Sequence, residues 1–176
     1  MDALDLMLAR RSIRRFTTQD VSLDDEQKLV DAAFAAPSAN NDRPWHFVCV
    51  RDPEMRRRLS GLHLWTRMLD KAPLVIAVLG RAEGHPWWIE DCSAATENIL
   101  LEAAALGLGA VWCGMREDPD DVAGYERACC EALGAPPDEW RALALIAVGH
   151  PGEKKKPRTQ RQTSKLSFER FGRRAR

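Results

Sequence analysis

Four short apolar runs, His46–Arg51, Leu74–Gly80, Leu108–Cys113 and Ala142–Val148, dominate the sequence and are kept apart by longer segments of helical character. Each run is near-continuously apolar, the pattern of a strand buried on both faces rather than of a strand with one wet face. A sheet buried on both faces needs cover on both, so the expected architecture has three layers, with helices above and below a sheet. The longest apolar stretches, Ala72–Gly80 and Ala142–Gly149, are less than half the length of a membrane-spanning helix, and no membrane partner is expected.

The intervening segments carry explicit helix signals. Helices are expected over Leu4 to about Arg11, from Ser22 towards Pro37, from Asp52-Pro53, over Asp91–Leu106, and from Asp118-Pro119 to about Leu133. Ser22 and Asp25 resemble a capping box, and Leu29, Val30, Ala33 and Phe34 follow at helical spacing. Proline follows Asp52 at the first position of the next helix, and Gly107 closes the Ala/Leu-rich helix as a left-handed cap. With 176 residues and no internal repeat or interior linker, the whole chain is expected to form a single domain over 1–176. Its 45% hydrophobic and 30% charged residues exclude disordered and low-complexity classes for the bulk of the chain.

A formal net charge of zero conceals an asymmetry. From Glu153 onward there are 10 Lys+Arg against 2 Asp+Glu, and the preceding 152 residues hold 16 against 24. An acidic body thus carries a basic C-terminal extension, about 153–176, suited to a phosphate, to an acidic partner surface or simply to water. Nucleic acid is not an expected partner, because the tail offers only Phe168 and Phe171 for base stacking. The five cysteines are odd in number and irregularly spaced, with no CxxC pair. They argue against a disulfide framework or a metal site and for a reducing, cytoplasmic location. The start, MDALDLML, has two acids and no basic stretch, so no signal peptide is expected. His46, His63, His85 and His150 stand alone and are read as structural.

Four stretches carry possible chemistry. Arg10-Arg11-Ser12-Ile13-Arg14 packs three guanidiniums and a hydroxyl into five residues. Guanidinium forks bind phosphate oxygens bidentately, although a solvated basic turn would look the same. Pro37-Ser38-Ala39-Asn40-Asn41-Asp42-Arg43-Pro44-Trp45 is a polar loop leading into a strand, and its asparagines suit a ring edge that both donates and accepts; they also suit a plain turn. Gly107–Met115 brackets a buried strand with glycines, and a glycine just past such a strand lets backbone approach a flat ligand. Lys154-Lys155-Lys156-Pro157-Arg158 follows another strand and is a plausible mate for the first cluster.

Taken in order, RRSIRRF at 10–16, APSANNDRPWHFVCV at 36–50, KAPLVIAV at 71–78, DCSAATENILLEAAALGLGAVWCG at 91–114 and LALIAVGHPGEKKKPR at 143–158 resemble the nitroreductase family of flavin enzymes, closest to its short single-domain members. The resemblance implies an α+β, three-layer α/β/α fold with a central mixed, mainly antiparallel sheet, in an intertwined homodimer with FMN at the subunit interface. It implies that Arg10, Arg11, Ser12 and Arg14 hold the phosphate and ribityl chain, completed by Arg158 and Lys156. It places Pro37, Ser38 and Ala39 against the flavin of the other subunit, Asn41 nearer the ring, Arg67 near the pyrimidine, and Trp112, Cys113 and Gly114 as backbone beside the isoalloxazine. The basic extension is expected to pack on the partner subunit. The implied activity is ping-pong transfer from NADH or NADPH through FMN to an electron-poor acceptor such as a nitroaromatic or quinone. No protein nucleophile and no metal are expected, because the cofactor carries the chemistry. Reductive dehalogenation, flavin cleavage, or flavin binding without turnover are alternatives on the same fold. One departure stands out: the family commonly has glutamine before Pro-Trp, and here the residue is Arg43, which cannot accept a hydrogen bond and is left either to face the substrate pocket or to pair with Asp42. Trp65, Trp87 and Trp88 are candidates for lining a pocket or for packing.

Overall fold

The computed structural model describes residues 2–116, 124–159 and 163–173. In chain order the elements are α1 (Ala3–Ala9), α2 (Leu23–Phe34), β1 (Trp45–Val50), α3 (Pro53–Ser60), a 3-10 helix over Leu64–Lys71, β2 (Leu74–Arg81), α4 (Trp88–Ala105), β3 (Gly109–Gly114), α5 (Tyr125–Leu133) and β4 (Trp140–Gly149), with single 3-10 turns at Ala39–Asn41 and Thr163–Lys165. The strands lie side by side as β1-β2-β4-β3, every named pair antiparallel. The one parallel pairing among the described residues is an isolated bridge between Ser12 and Ala110.

The apolar runs sort by parity, as the two-residue period of a strand dictates. Leu74, Ile76 and Val78 of β2, with Ala144, Ile146 and Val148 of β4, face a core closed by Leu29 and Ala33 of α2 and by Cys92, Ala95, Ile99 and Ala103 of α4. Val75, Ala77 and Leu79, with Leu145, Ala147, Val111 and Cys113, face a second core closed by Leu59 of α3, Leu69 of the 3-10 helix and Cys129, Cys130 and Ala132 of α5. The three layers inferred from continuous apolarity are therefore present, with the central strands β2 and β4 dry on both sides.

The caps act as their residue types require. The Ser22 side chain accepts from the Asp25 N–H at 3.0 Å, and that of Asp52 from the Met55 N–H at 2.7 Å. Gly107 takes φ +74°, and Leu108 N–H reaches back to the Ala103 carbonyl at 2.8 Å, which satisfies the end of α4. α4 starts at Trp88 rather than Asp91. Its first turn lays the buried Trp88 ring over Gly80, where a Cβ would come within 2.4 Å of the ring, so Trp88 packs on the sheet. The 3-10 helix was not expected from the sequence, although its apolar residues Leu64, Trp65, Met68 and Leu69 recur at helical spacing. The expected helix start at Asp118-Pro119 lies outside the described residues. No described helix is long and apolar enough to cross a membrane.

Candidate functional site at a sheet edge

β3 is an edge strand, and its free side is covered by the first basic motif. Ile13 N–H donates to the Ala110 carbonyl at 2.9 Å beside the Ser12–Ala110 bridge. The approach needs Gly109, because a Cβ there would sit 2.7 and 2.8 Å from Ile13 side-chain atoms. The same segment then runs against the chain leaving β4: Thr17 N–H donates to the His150 carbonyl at 2.9 Å, and Gly152 N–H to the Arg15 carbonyl at 2.8 Å.

This threading joins the two basic clusters, as their sequence positions suggested. Lys155 Nζ donates to the Ser12 carbonyl at 2.6 Å, the Arg11 guanidinium to the Lys156 carbonyl, and Arg158 N–H to the Leu8 carbonyl at 2.9 Å. The Arg10 guanidinium pairs with Glu97 of α4 at 3.4 Å. Glu153 stitches the seam, accepting from Arg14 N–H at 2.6 Å and lying 3.4 Å from Lys155. The Arg14 N–H, then Lys155, hold its carboxyl below the ordinary range. Arg10, Arg11 and Lys155 are thus engaged with protein groups. Lys156 and Arg158 enter the seam through backbone, with their side chains at the surface.

Beside the seam, at the C-terminal end of β3, lies a cleft of about 350 Å³ lined by Arg14, His63, Trp65, Met68, Val111, Trp112, Cys113 and Gly114. A volume of that order is typical of small-molecule sites. Gly114 leaves its floor flat: the nearest atom to an added Cβ is the Trp112 indole nitrogen at 3.9 Å. Trp65, 75% exposed, and Met68 form a wall on the 3-10 helix. The Cys113 thiol is buried and points at the Met68 sulfur, 3.5 Å away, and burial pushes it up to about 11, which leaves it protonated. Arg67 is exposed on the same 3-10 helix but is not among the residues lining the cleft.

The polar loop lies elsewhere, between α2 and β1. Asn40, Asn41 and Arg43 adopt φ of 52°, 60° and 50°. Asparagine tolerates this region, whereas arginine there is held by its surroundings. Arg43 N–H donates to Ser38 Oγ at 3.0 Å and its Nε to Asn41 Oδ1 at 2.9 Å. Asp42 instead faces His85, 3.6 Å away, so the Arg43–Asp42 pair weighed from the sequence does not form. The buried Asp91 carboxylate accepts the Ala39 N–H at 3.0 Å and fixes the loop to α4. Pro37, Ser38, Ala39 and Asn41 do not line the cleft of their own chain.

The structure places Arg14, Trp112, Cys113 and Gly114 at the cleft and Arg10, Arg11, Ser12, Lys156 and Arg158 in the adjoining seam, where Arg10 and Arg11 line a separate pocket of about 200 Å³, and it leaves the 37–43 loop apart. It adds His63, Met68 and Glu153, which the sequence reading did not place there, and within the second basic cluster it turns Lys155 inward. Trp65 reaches the cleft, Trp87 is exposed and Trp88 is buried. Only His63 carried a local signal, a polar residue three before Thr66 as in a capping box, and histidine is an unusual residue in that place.

The sequence profile of the Nitroreductase family matches residues 7–66 and 60–150. A relative from Archaeoglobus fulgidus, whose name pairs NADH dehydrogenase with NAD(P)H nitroreductase, is 37% identical over 158 residues, covering 88% of each chain. An FMN-dependent nitroreductase from Clostridium difficile superposes with a TM-score of 0.90 at 31% identity over 96% of this chain and 99% of that one. A nitroreductase from Desulfovibrio desulfuricans solved in complex with FMN gives 0.83 at 28% identity, over 97% and 99%.

Proposed function

The chain belongs to the nitroreductase family, and from that premise we propose that it is an FMN-dependent oxidoreductase that uses NADH or NADPH to reduce an electron-poor acceptor. The carrying observation is the flat-floored cleft at the end of β3, open at Gly114 and bordered by Arg14 where two basic segments converge. Those residues fit the group. A planar ring system needs a floor without side chains, a phosphate needs guanidinium forks, and a surplus of cations over Glu97 and Glu153 surrounds the seam.

On this reading Arg10, Arg11, Ser12 and Arg14, with Lys156 and Arg158, hold the phosphate and ribityl chain, and Trp112, Cys113 and Gly114 lie as backbone beside the ring. Arg67 acts at longer range near the pyrimidine. FMN when bound supplies hydride acceptance from NAD(P)H and, in a second half-reaction, electron delivery to a nitroaromatic or quinone acceptor. The protein's part is to position and to tune. Arg14 at the cleft favours negative charge on whatever occupies it. Trp65 and Met68 offer a soft apolar wall for a flat acceptor and keep water from one side.

The loop Pro37–Asn41, fixed by Asp91 but remote from its own chain's cleft, completes the site of a second copy in a homodimer. Apolar side chains left at the surface, Leu4, Met7 and Leu8 on α1 together with Phe34, Phe168 and Phe171, supply material for that interface, to which the 153–176 extension contributes. One domain over 1–176 serves the whole function. Five free thiols suit a reducing, cytoplasmic setting.

The test is the visible spectrum of the purified protein, followed anaerobically as NADH or NADPH is added. A flavin spectrum that bleaches with either nucleotide and returns with a quinone is expected. A colourless protein that takes up no added FMN overturns the reading.

A further inference from the structure

His63 makes two contacts that only one form of its ring can satisfy. Nδ1 lies 3.1 Å from the Trp65 backbone N–H, a pure donor, and Nε2 lies 3.1 Å from the Gly114 carbonyl, a pure acceptor. The ring must therefore be the neutral tautomer with a bare Nδ1 and a proton on Nε2. Its backbone is held as well: His63 N–H donates to Thr66 Oγ1 at 3.2 Å, and the buried Thr66 hydroxyl donates back to the His63 carbonyl at 2.7 Å. The Tyr125 ring packs against the imidazole with centroids 5.0 Å apart.

These contacts support an element that is weak by itself. A 3-10 helix of eight residues is about twice the usual length of such runs, so its persistence depends on tertiary ties. This one carries Trp65 and Met68, one wall of the cleft, and Gly114 is the floor. The imidazole bridges wall to floor across a gap of 51 residues in sequence.

We propose that His63 is a positioning residue: its Nε2-protonated imidazole ties the wall bearing Trp65 and Met68 to the floor at Gly114 and sets the width of the cleft in which the acceptor is held. The proposal rests on the reading of this cleft as the flavin and acceptor site. Loss of the tie leaves the wall free to swing, which weakens acceptor binding while leaving the chemistry on the cofactor intact.

Two variants separate the two ring nitrogens. In His63→Asn the shorter amide can still accept from the Trp65 N–H but cannot reach Gly114. In His63→Gln the longer amide reaches Gly114 with a donor and caps the helix less well. With the FMN-loaded protein and a benzoquinone as acceptor, H63N raises the acceptor KM by about fivefold, the worth of one ordinary hydrogen bond, with kcat within about twofold; H63Q keeps KM within about twofold. Equal KM values in the two variants, or a KM that follows the amide-exchange rate of Trp65 rather than the Gly114 tie, overturn the proposal. A second measurement does not need turnover. Nitrogen NMR of the imidazole in the full-length protein as purified, at about pH 8 where free imidazole is neutral, is expected to show the proton on Nε2. A proton on Nδ1, or averaging between the two nitrogens, overturns the tie directly. A protein that binds no FMN while showing the Nε2 tautomer overturns the functional reading and leaves the tie standing.

Discussion

The two edges of the sheet begin with the same problem and solve it differently. β1 and β3 each pair with one neighbouring strand, so each has a row of backbone groups turned away from the sheet. At β1 the protein secures the end of the strand with side chains: Arg51 pairs with Glu26 at 2.5 Å and donates to the Val21 carbonyl at 2.8 Å. At β3 it lays a second stretch of backbone along the edge, Ser12 and Ile13, through a glycine that gives up its side chain for the contact. The first solution uses local charge and leads nowhere. The second brings Arg14 to the mouth of a cleft and ties the 153–158 segment to the backbone of Ser12 and Arg14 beside it. The candidate site lies at the edge closed by distant chain, where closing the edge also gathers cations.

Breaking the cover itself has the largest expected effect. Gly109→Val forces Ile13 off the strand, and overpacking of this kind costs about 1–3 kcal/mol in stability. FMN affinity falls more than about tenfold along with it, since Arg14 moves with Ile13. Urea unfolding and FMN fluorescence on the same samples check both. A stable G109V that holds FMN normally would show that the edge contact does not organise the site. Arg14→Ala is the sharper and smaller cut. Its side chain is exposed, so Tm stays within about 2 °C, whereas loss of one charged contact weakens FMN by about tenfold.

Sequence alone conveyed much of this contrast, for different physical reasons at each place. The strands were legible because β2 and β4 are buried on both faces, which forces continuous apolarity, and the caps at Ser22, Asp52 and Gly107 were legible because their roles are local. The basic motifs were legible as chemistry, and their junction as a guess from order. The 3-10 helix was missed although Leu64, Trp65, Met68 and Leu69 recur at helical spacing, because a histidine cap is not a common start signal. The division of labour within the seam was not legible: that Lys155 rather than Lys156 turns inward to Ser12, and that Glu153 binds Arg14, follows from register between segments 139 or more residues apart. The separation of the 37–43 loop from the cleft is equally non-local. Arg43 shows the limit best, because its positive φ and its bond to Asn41 depend on the neighbours that hold it, Ser38 and Asn41.

Glu153 gives a finer probe of the covered edge. Its folded pKa is lowered, so the stability it contributes is complete above the ordinary carboxylate pKa and is lost as pH falls through the lower folded value. The window therefore lies below about pH 4.3. Glu153→Gln lowers Tm at neutral pH by about 2 °C, and the deficit relative to the parent disappears on acidification through that window. Melting curves from neutral to acid pH check this. A deficit that stays constant with pH would assign the effect to packing and remove the carboxylate from the seam.

The smallest expected effect comes from a pair of thiols, one on each edge. Cys113 on β3 is pushed up to about 11 by burial. Cys49 on β1 sits at the surface, yet the packing around its sulfur and the nearby Glu26 carboxylate push it up to about 12. Thiolate is the reactive form, so at about pH 7.5 even the Cys113 thiolate fraction is roughly 300-fold below that of an ordinary thiol. Iodoacetamide should therefore label neither in the folded protein on the timescale that labels a free thiol. Cys49→Ser and Cys113→Ala should each keep turnover per folded molecule within about twofold, even though the second leaves a small cavity costing about 1 kcal/mol. Rapid labelling of Cys113 with loss of activity would put a nucleophile at the floor of the cleft, and the site would then owe its chemistry to the protein as well as to the group it binds. Labelling confined to Cys49, with activity intact, would leave the two edges as different as their geometry makes them.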